Sequence, residues 1–190
     1  LHDLITPAAR RLGEFWHADS VNFVDVTMAM TRLTAIVRGM DQAHDHQRDV
    51  PFNAPQALIA TTEVERHGLG SMIVAQSFRV AGWAVHEMPG AGRRALGEAV
   101  ARFPYALLGL SVGSEKTAAA LPGSLAMLRR HSCNPQLIIA LGGPGVVADP
   151  DSAARCGADF VASDGREAVR LAEQYLPQPT NKEDTRLTPS

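Results

Sequence analysis

Apolar residues follow two different spacings along this chain. Over residues 1 to 40 they are spaced for helices. Thr6 before Pro7 makes a cap and first-turn pair, AARRLGEFWH continues helically, and the polar break at Asp19 and Ser20 ends the first helix. In a second helix Phe23, Val26, Met30, Leu33 and Val37 fall three and four apart on one stripe, with Gly39 as the stop. Two helices alone cannot bury such a stripe, so it must cover another domain, pair with a second chain or belong to a larger bundle. The chain begins with Leu rather than Met, which favours reading the pair as the remnant of a larger helical unit.

Residues 41 to 55, DQAHDHQRDVPFNAP, are polar, aperiodic and end in two prolines, the pattern of a linker. From residue 56 the spacing changes. Five strand-length apolar runs follow: QALIATT (56 to 62), WAVHEM (83 to 88), YALLGLSV (105 to 112), QLIIALGG (136 to 143) and DFVASD (159 to 164). Helical segments such as GSMIVAQSFRVAG and KTAAALPGSLAMLRRH separate them, the latter kinked or interrupted at Pro122. Continuous apolar strands alternating with helices predict a parallel sheet covered on both faces. The fold class is therefore α/β, a flavodoxin-like doubly wound five-stranded parallel sheet preceded by an α-helical cap. The polar tail 177–190 reads as disordered.

Composition narrows the function. At 45% hydrophobic and 20% charged residues the chain is outside the disordered class. No apolar run reaches the eighteen or so residues of a membrane span, and the N-terminus has no signal-peptide core, so the expected location is cytoplasmic with no membrane partner. Eighteen Lys and Arg against twenty Asp and Glu leave a net charge of -2, with no basic stripe, so autonomous nucleic-acid binding is not expected. Cys133 and Cys156 form neither a disulfide framework nor a CxxC pair and read as ordinary thiols.

A doubly wound sheet binds ligands outside the carboxyl ends of its strands. The loops to read are 63–70, 111–114, 142–145 and 163–165. The first contains Glu65-Arg66-His67-Gly68-Leu69-Gly70. A carboxylate two residues before a histidine can accept one ring N–H and leave the other nitrogen free for a metal, while Gly68 and Gly70 let a bulky group approach the backbone. Taken alone, a loop histidine is more often simply solvated. The other histidines suggest less: His44 and His46 read as solvated, and neither His86 nor His131 has a convincing partner. Asp164-Gly165-Arg166 lines a ligand pocket or caps the last helix, and capping is the more economical reading.

Glu65, His67 and Gly70 resemble the acid-x-His-x-x-Gly signature of the cobalamin-binding domain family, which usually has Asp where this chain has Glu65. Ser111-Val112-Gly113 resembles the family's Ser-x-Leu with Gly in place of Leu, and Gly142-Gly143 matches its Gly-Gly after the fourth strand. The resemblance covers roughly residues 55 to 176 and implies that His67 is the lower axial ligand of cobalt, oriented by Glu65. It further implies that Arg66, Gly68, Gly70, Ser111, Val112, Gly113, Gly142 and Gly143 belong to the cofactor-binding set. Residues 1–40 would then form a helical cap over the corrin, 41–55 a linker and 56–176 the cobalamin domain.

The cap also resembles that of light-sensing cobalamin regulators, whose signature is Trp, nine residues, then Glu-His; here Trp16 is kept and Val26-Thr27 replaces Glu-His. The resemblance places Trp16 over the upper face and favours hydroxocobalamin over adenosylcobalamin. His17 is a further candidate upper ligand, though neighbours on a helix point about 100° apart. The stretch WHADSVNFVDVT with MAMTRL is most similar to the short antirepressors of the AerR/PpaA type in photosynthetic bacteria. That likeness implies a light- or redox-responsive transcriptional regulator, not itself an enzyme, acting through a repressor protein of photosynthesis genes. Self-association through the cap is a further expectation. The alternative is a corrinoid methyl carrier of a cobalamin-dependent methyltransferase system.

Overall fold

The computed structural model describes residues 4–45, 50–63, 68–149 and 151–176. Five parallel strands, β1 (Gln56–Thr62), β2 (Ala84–Ala91), β3 (Leu107–Ser111), β4 (Ile138–Gly142) and β5 (Phe160–Ala162), form one sheet in the order β2-β1-β3-β4-β5. The order reverses between β1 and β3, so the crevice for a ligand opens beside those two strands. This is the doubly wound sheet that the alternating pattern predicts.

Helices α1 (Ile5–His17) and α2 (Phe23–Asp45) precede the sheet, and α3 (Leu69–Val80) and α4 (Arg93–Arg102) follow β1 and β2. After β3 come α5 (Glu115–Ala119) and α6 (Pro122–His131), with Pro122 opening α6 and so dividing the segment, as its missing N–H demands. The short helices α7 (Pro144–Val147) and α8 (Ser152–Cys156) lead to β5, and α9 (Gly165–Tyr175) closes the fold. No helix among the described residues is long and apolar enough to cross a membrane.

Because successive strand side chains point to opposite faces, each strand serves two cores. Leu58, Leu108, Leu110, Ile139 and Leu141 pack on one face with Val100 of α4 and Leu125 and Leu128 of α6. On the other face Ala57, Ile59, Leu107, Ala140 and Ala162 pack with Phe78 of α3 and Ala168 and Ala172 of α9. Towards the carboxyl ends of β3 and β4 the first face carries Leu110 and Leu141 and the second Gly109 and Ala140, a difference that shapes the site below.

The N-terminal helices sit on the outside of α3, where Ile5 and Val37 meet Leu69 and Ile73. Ser20 ends α1 by donating both its backbone N–H and its hydroxyl to Phe15 O, and Asp19 turns the chain at φ 50°. Asn22 then caps α2, accepting from Asp25 N at 2.9 Å and donating to its carboxylate at 2.7 Å. Two expectations need correction. Gly39 does not stop α2, which continues to Asp45. Gly39 has open space around it and no left-handed turn, so its cost is only the roughly 1 kcal/mol of a glycine in a helix interior. Nor does Phe23 join the buried stripe: it is exposed, Val26, Met30 and Leu33 are half-buried, and Val37 alone is fully buried.

Candidate functional site

A cavity of about 340 Å³ opens between α3, α9 and the carboxyl ends of β1, β3, β4 and β5. Register explains why it exists. Ser111 pairs with Gly142 and Gly142 with Ala162, while Ile59 pairs with Gly109 and Gly109 with Ala140. On the α3 and α9 face these rows carry Ser111, Gly142 and Ala162 at the strand ends and Gly109 and Ala140 one row back, where Ile59 closes the β1 side, and all six residues line the cavity. Small side chains at alternate positions of β3 and β4, continued by Ala162 of β5, leave a flat floor. Ile73, Val74 and Phe78 of α3 supply an apolar wall, and Ser111 places a hydroxyl at the strand end.

At the rim, backbone takes over from side chains. Val112 N donates to Gly142 O at 2.8 Å, and Gly145 N donates to Val112 O at 2.9 Å, locking the β3 exit against the β4 exit. Gly143 has φ 95°, and a Cβ there would stand 2.6 Å from Val112 O; one at Gly145 would stand 2.5 Å from Ser114 O. The approach is closed to any residue with a side chain, so the glycines are dictated by packing as well as by φ.

The far rim is the β5–α9 loop. Asp164 caps α9 by accepting from Arg166 N and Glu167 N, both at 2.9 Å, and also lines the cavity together with Ser163 and Gly165. Capping, the more economical reading, is thus observed, and Asp164 also borders the cavity. Glu167 reaches back to accept from the Ser163 hydroxyl at 2.6 Å and from its backbone N at 2.8 Å. Those bonds, the hydroxyl's first, hold the Glu167 carboxyl below the usual carboxylate range.

Of the predicted site residues, Gly70, Ser111, Gly113, Gly142 and Gly143 come together around this cavity. Val112 does not line it; fully buried on the other face of the sheet, it braces the rim through its backbone. Gly68 is the N-cap position of α3, where its carbonyl accepts from Ser71 Oγ at 2.8 Å. Glu65, Arg66 and His67 lie outside the described residues, and Trp16 and His17 are placed in the last turn of α1 without a described side chain. His46 lies outside the described residues, as does the side chain of His44. His86 does have a partner: its Nδ1 and Tyr105 Oη share a 2.5 Å hydrogen bond, and burial pushes the Tyr105 hydroxyl up from its ordinary pKa. His131 Nδ1 lies 2.9 Å from Met127 O. Cys156 is buried, with its thiol towards Ala118 O, and Cys133 is exposed.

Motif reading missed the cavity's floor and wall. The signal was available: LLGLS and IIALG each place Gly, Ala or Ser at alternate positions, and FVA ends on Ala162. Glu63 was missed too. Its carboxylate lies over Gly92, at the N-terminus of α4, where a Cβ would come within 2.2 Å of Oε1. That contact ties the end of β1, and so the root of the histidine-bearing loop, to the start of α4.

The cavity suits a flat heteroaromatic group such as the nucleotide base of a corrinoid tail: apolar walls, a floor without bulk, and glycine backbone where the group must enter. Among the described residues no group of three His, Cys, Asp or Glu could hold a metal ion.

Comparison with known proteins agrees. The family model described as the B12 binding domain matches residues 55–173. A relative from Rhodobacter capsulatus, an uncharacterized 20.5 kDa protein in the bchF-crtJ intergenic region, is 29% identical over 163 residues, covering 84% of this chain and 83% of the relative. The monomethylamine corrinoid protein of Methanosarcina barkeri has a similar fold, with TM-score 0.73 at 16% identity over 90% of this chain and 80% of that one. A cobalamin-binding protein from Desulfitobacterium hafniense DCB-2 aligns with TM-score 0.60 at 17% identity over 93% and 83%.

Proposed function

The chain belongs to the B12-binding domain family, and we propose that within it this protein is a cobalamin-responsive regulator that acts on a partner repressor of photosynthesis genes. The observation that carries the cofactor assignment is the small-residue floor, Gly109, Ser111, Ala140, Gly142 and Ala162, beneath a rim of glycines. The regulatory assignment is supported by the Rhodobacter relative, whose name places it in the bchF-crtJ region, among photosynthesis genes.

In this reading His67 holds the cobalt from below, and Glu65 accepts the proton of the second ring nitrogen and so fixes the tautomer. Gly70, Ser111, Gly142 and Gly143 admit the displaced nucleotide tail, with Val112 and Gly113 shaping the β3 exit and Arg66 and Gly68 flanking the histidine. Trp16, in the last turn of α1, packs over the upper face. When bound, cobalamin, expected as hydroxocobalamin, would supply a cobalt centre sensitive to light and redox state. The α1–α2 pair is the element that responds, because its seat on α3 is small: Ile5, Val37, Leu69 and Ile73 are its buried members. A shift of that pair alters the surface offered to a repressor.

The test is direct. Purified protein is mixed with hydroxocobalamin in darkness and under light, freed of excess by gel filtration, and its visible spectrum recorded beside that of His67→Ala. Retention with a shifted spectrum that His67→Ala loses, promoted by light, is the expected result. No retention in either condition overturns the cofactor reading. Light-independent retention with uptake of a methyl group from a methyltransferase overturns the regulator in favour of a methyl carrier.

A further inference from the structure

The outer face of α2 carries a pattern that the sheet domain does not use. With about 100° between neighbouring residues, the side turned towards α1 and α3 holds Val26, Met30, Leu33 and Val37. The opposite side holds Val24, Met28, Thr31, Ala35 and Gly39, at steps of four, three, four and four, the spacing of a helix–helix seam. All five are exposed, Val24 at 65% and Met28 at 52%, with Ile36 beside them at 50%. Exposed apolar residues in a continuous line along a helix mark a contact surface rather than scattered surface hydrophobics.

We propose that this face joins two copies of the chain as an antiparallel α2–α2 homodimer. Two features select a second copy over another partner. The first is charge. Asp25 and Arg32 lie seven residues apart on the same flank of the seam. A two-fold axis perpendicular to two antiparallel helices brings like flanks together, so Asp25 of each copy faces Arg32 of the other and both ion pairs form at once. The second is size. In that register Met28 meets its own counterpart at the centre, and Val24 lies over the small side chains Thr31 and Ala35 of the second copy. A parallel pairing would bring opposite flanks together and lose both ion pairs. One helix pair buries a modest area, so the dimer is expected to form reversibly at concentrations of order micromolar. This inference does not rest on cobalamin binding.

Sedimentation velocity of the full chain over roughly 1 to 100 μM tests it, with Met28→Asp, Asp25→Arg and Arg32→Asp as variants. Far-ultraviolet circular dichroism confirms that each is folded. The native protein is expected to pass from monomer to dimer across that range, Met28→Asp to stay monomeric, and each charge variant alone to dimerise at least tenfold more weakly. Mixed one to one, Asp25→Arg and Arg32→Asp restore both ion pairs in a heterodimer, and the mixture should recover the native dimerisation, a rescue that a fold defect in either variant would not give. A native protein that is monomeric throughout, a dimer that survives Met28→Asp, or a mixture that fails to associate overturns the proposal.

Discussion

Gly143 tests the rim at the level of one residue. Its φ of 95° and the 2.6 Å from its Cβ position to Val112 O set two separate penalties on any side chain, one torsional and one steric. Gly143→Ala should lower stability by about 1–3 kcal/mol, read as a fall in the denaturation midpoint, and should also weaken cobalamin retention because the β3 and β4 exits part. Ala140 makes the opposite test. Ala140→Leu adds bulk to the cavity floor without touching the rim, so the apoprotein should melt no lower than the native one while cobalamin retention falls at least a hundredfold. Unchanged retention would show that the cavity is not where the cofactor enters. Gly143 was legible in the Gly142-Gly143 motif, and Ala140 could have been read from strand alternation. What the sequence did not show was Glu63 lying over Gly92, a contact between loops twenty-nine residues apart that depends on the sheet order.

Strands and helices were legible to different degrees, for physical reasons. All five strands appeared as short apolar runs, the inner ones because burial on both faces removes polar residues from them; β1 kept its bounds and the ends of the others moved by one to three residues. Helix ends depend on caps and local torsions, so Gly39 was a weaker stop than it looked, whereas Pro122, which lacks an N–H, divided its segment as expected. Two predictions belong to this scale. Because the Ser163 hydrogen bonds hold the folded pKa of Glu167 below its unfolded value, its contribution is complete above the unfolded pKa and is lost as the pH falls through the folded one. The melting temperature of the native protein should therefore exceed that of Glu167→Gln near neutrality, and the gap should close on acidification below about pH 4. A gap that widens with acid would contradict the assignment. In α3, Gln76 is buried with its Oε1 lacking a hydrogen-bond partner among the described residues. Gln76→Met keeps the shape and removes the unpaired acceptor, so thermal denaturation should show stability unchanged or raised by about 1 kcal/mol.

At the scale of the whole molecule, one sheet with faces of unequal bulk explains both the fold and the site. One face packs against α4 and α6 as an ordinary core, and the other, with Ala, Gly and Ser at the carboxyl ends of β3, β4 and β5, keeps a slot between α3 and α9. The resemblance drawn from Glu65-x-His67, Ser111 and Gly142-Gly143 named the family without locating this slot, since a motif marks loops and the slot is a property of register. In the proposed function, cobalamin occupies the slot with its nucleotide base while His67 takes the base's place on cobalt. The most direct measurement is electron paramagnetic resonance of the Co(II) form bound to protein whose histidines carry heavy nitrogen, compared with unlabelled protein. Each cobalt line should split into two in the labelled protein and into three in the unlabelled one, and His67→Ala should abolish that difference. A threefold splitting that ignores the label would mean that the cofactor keeps its own base on cobalt, and the account would be wrong at its centre.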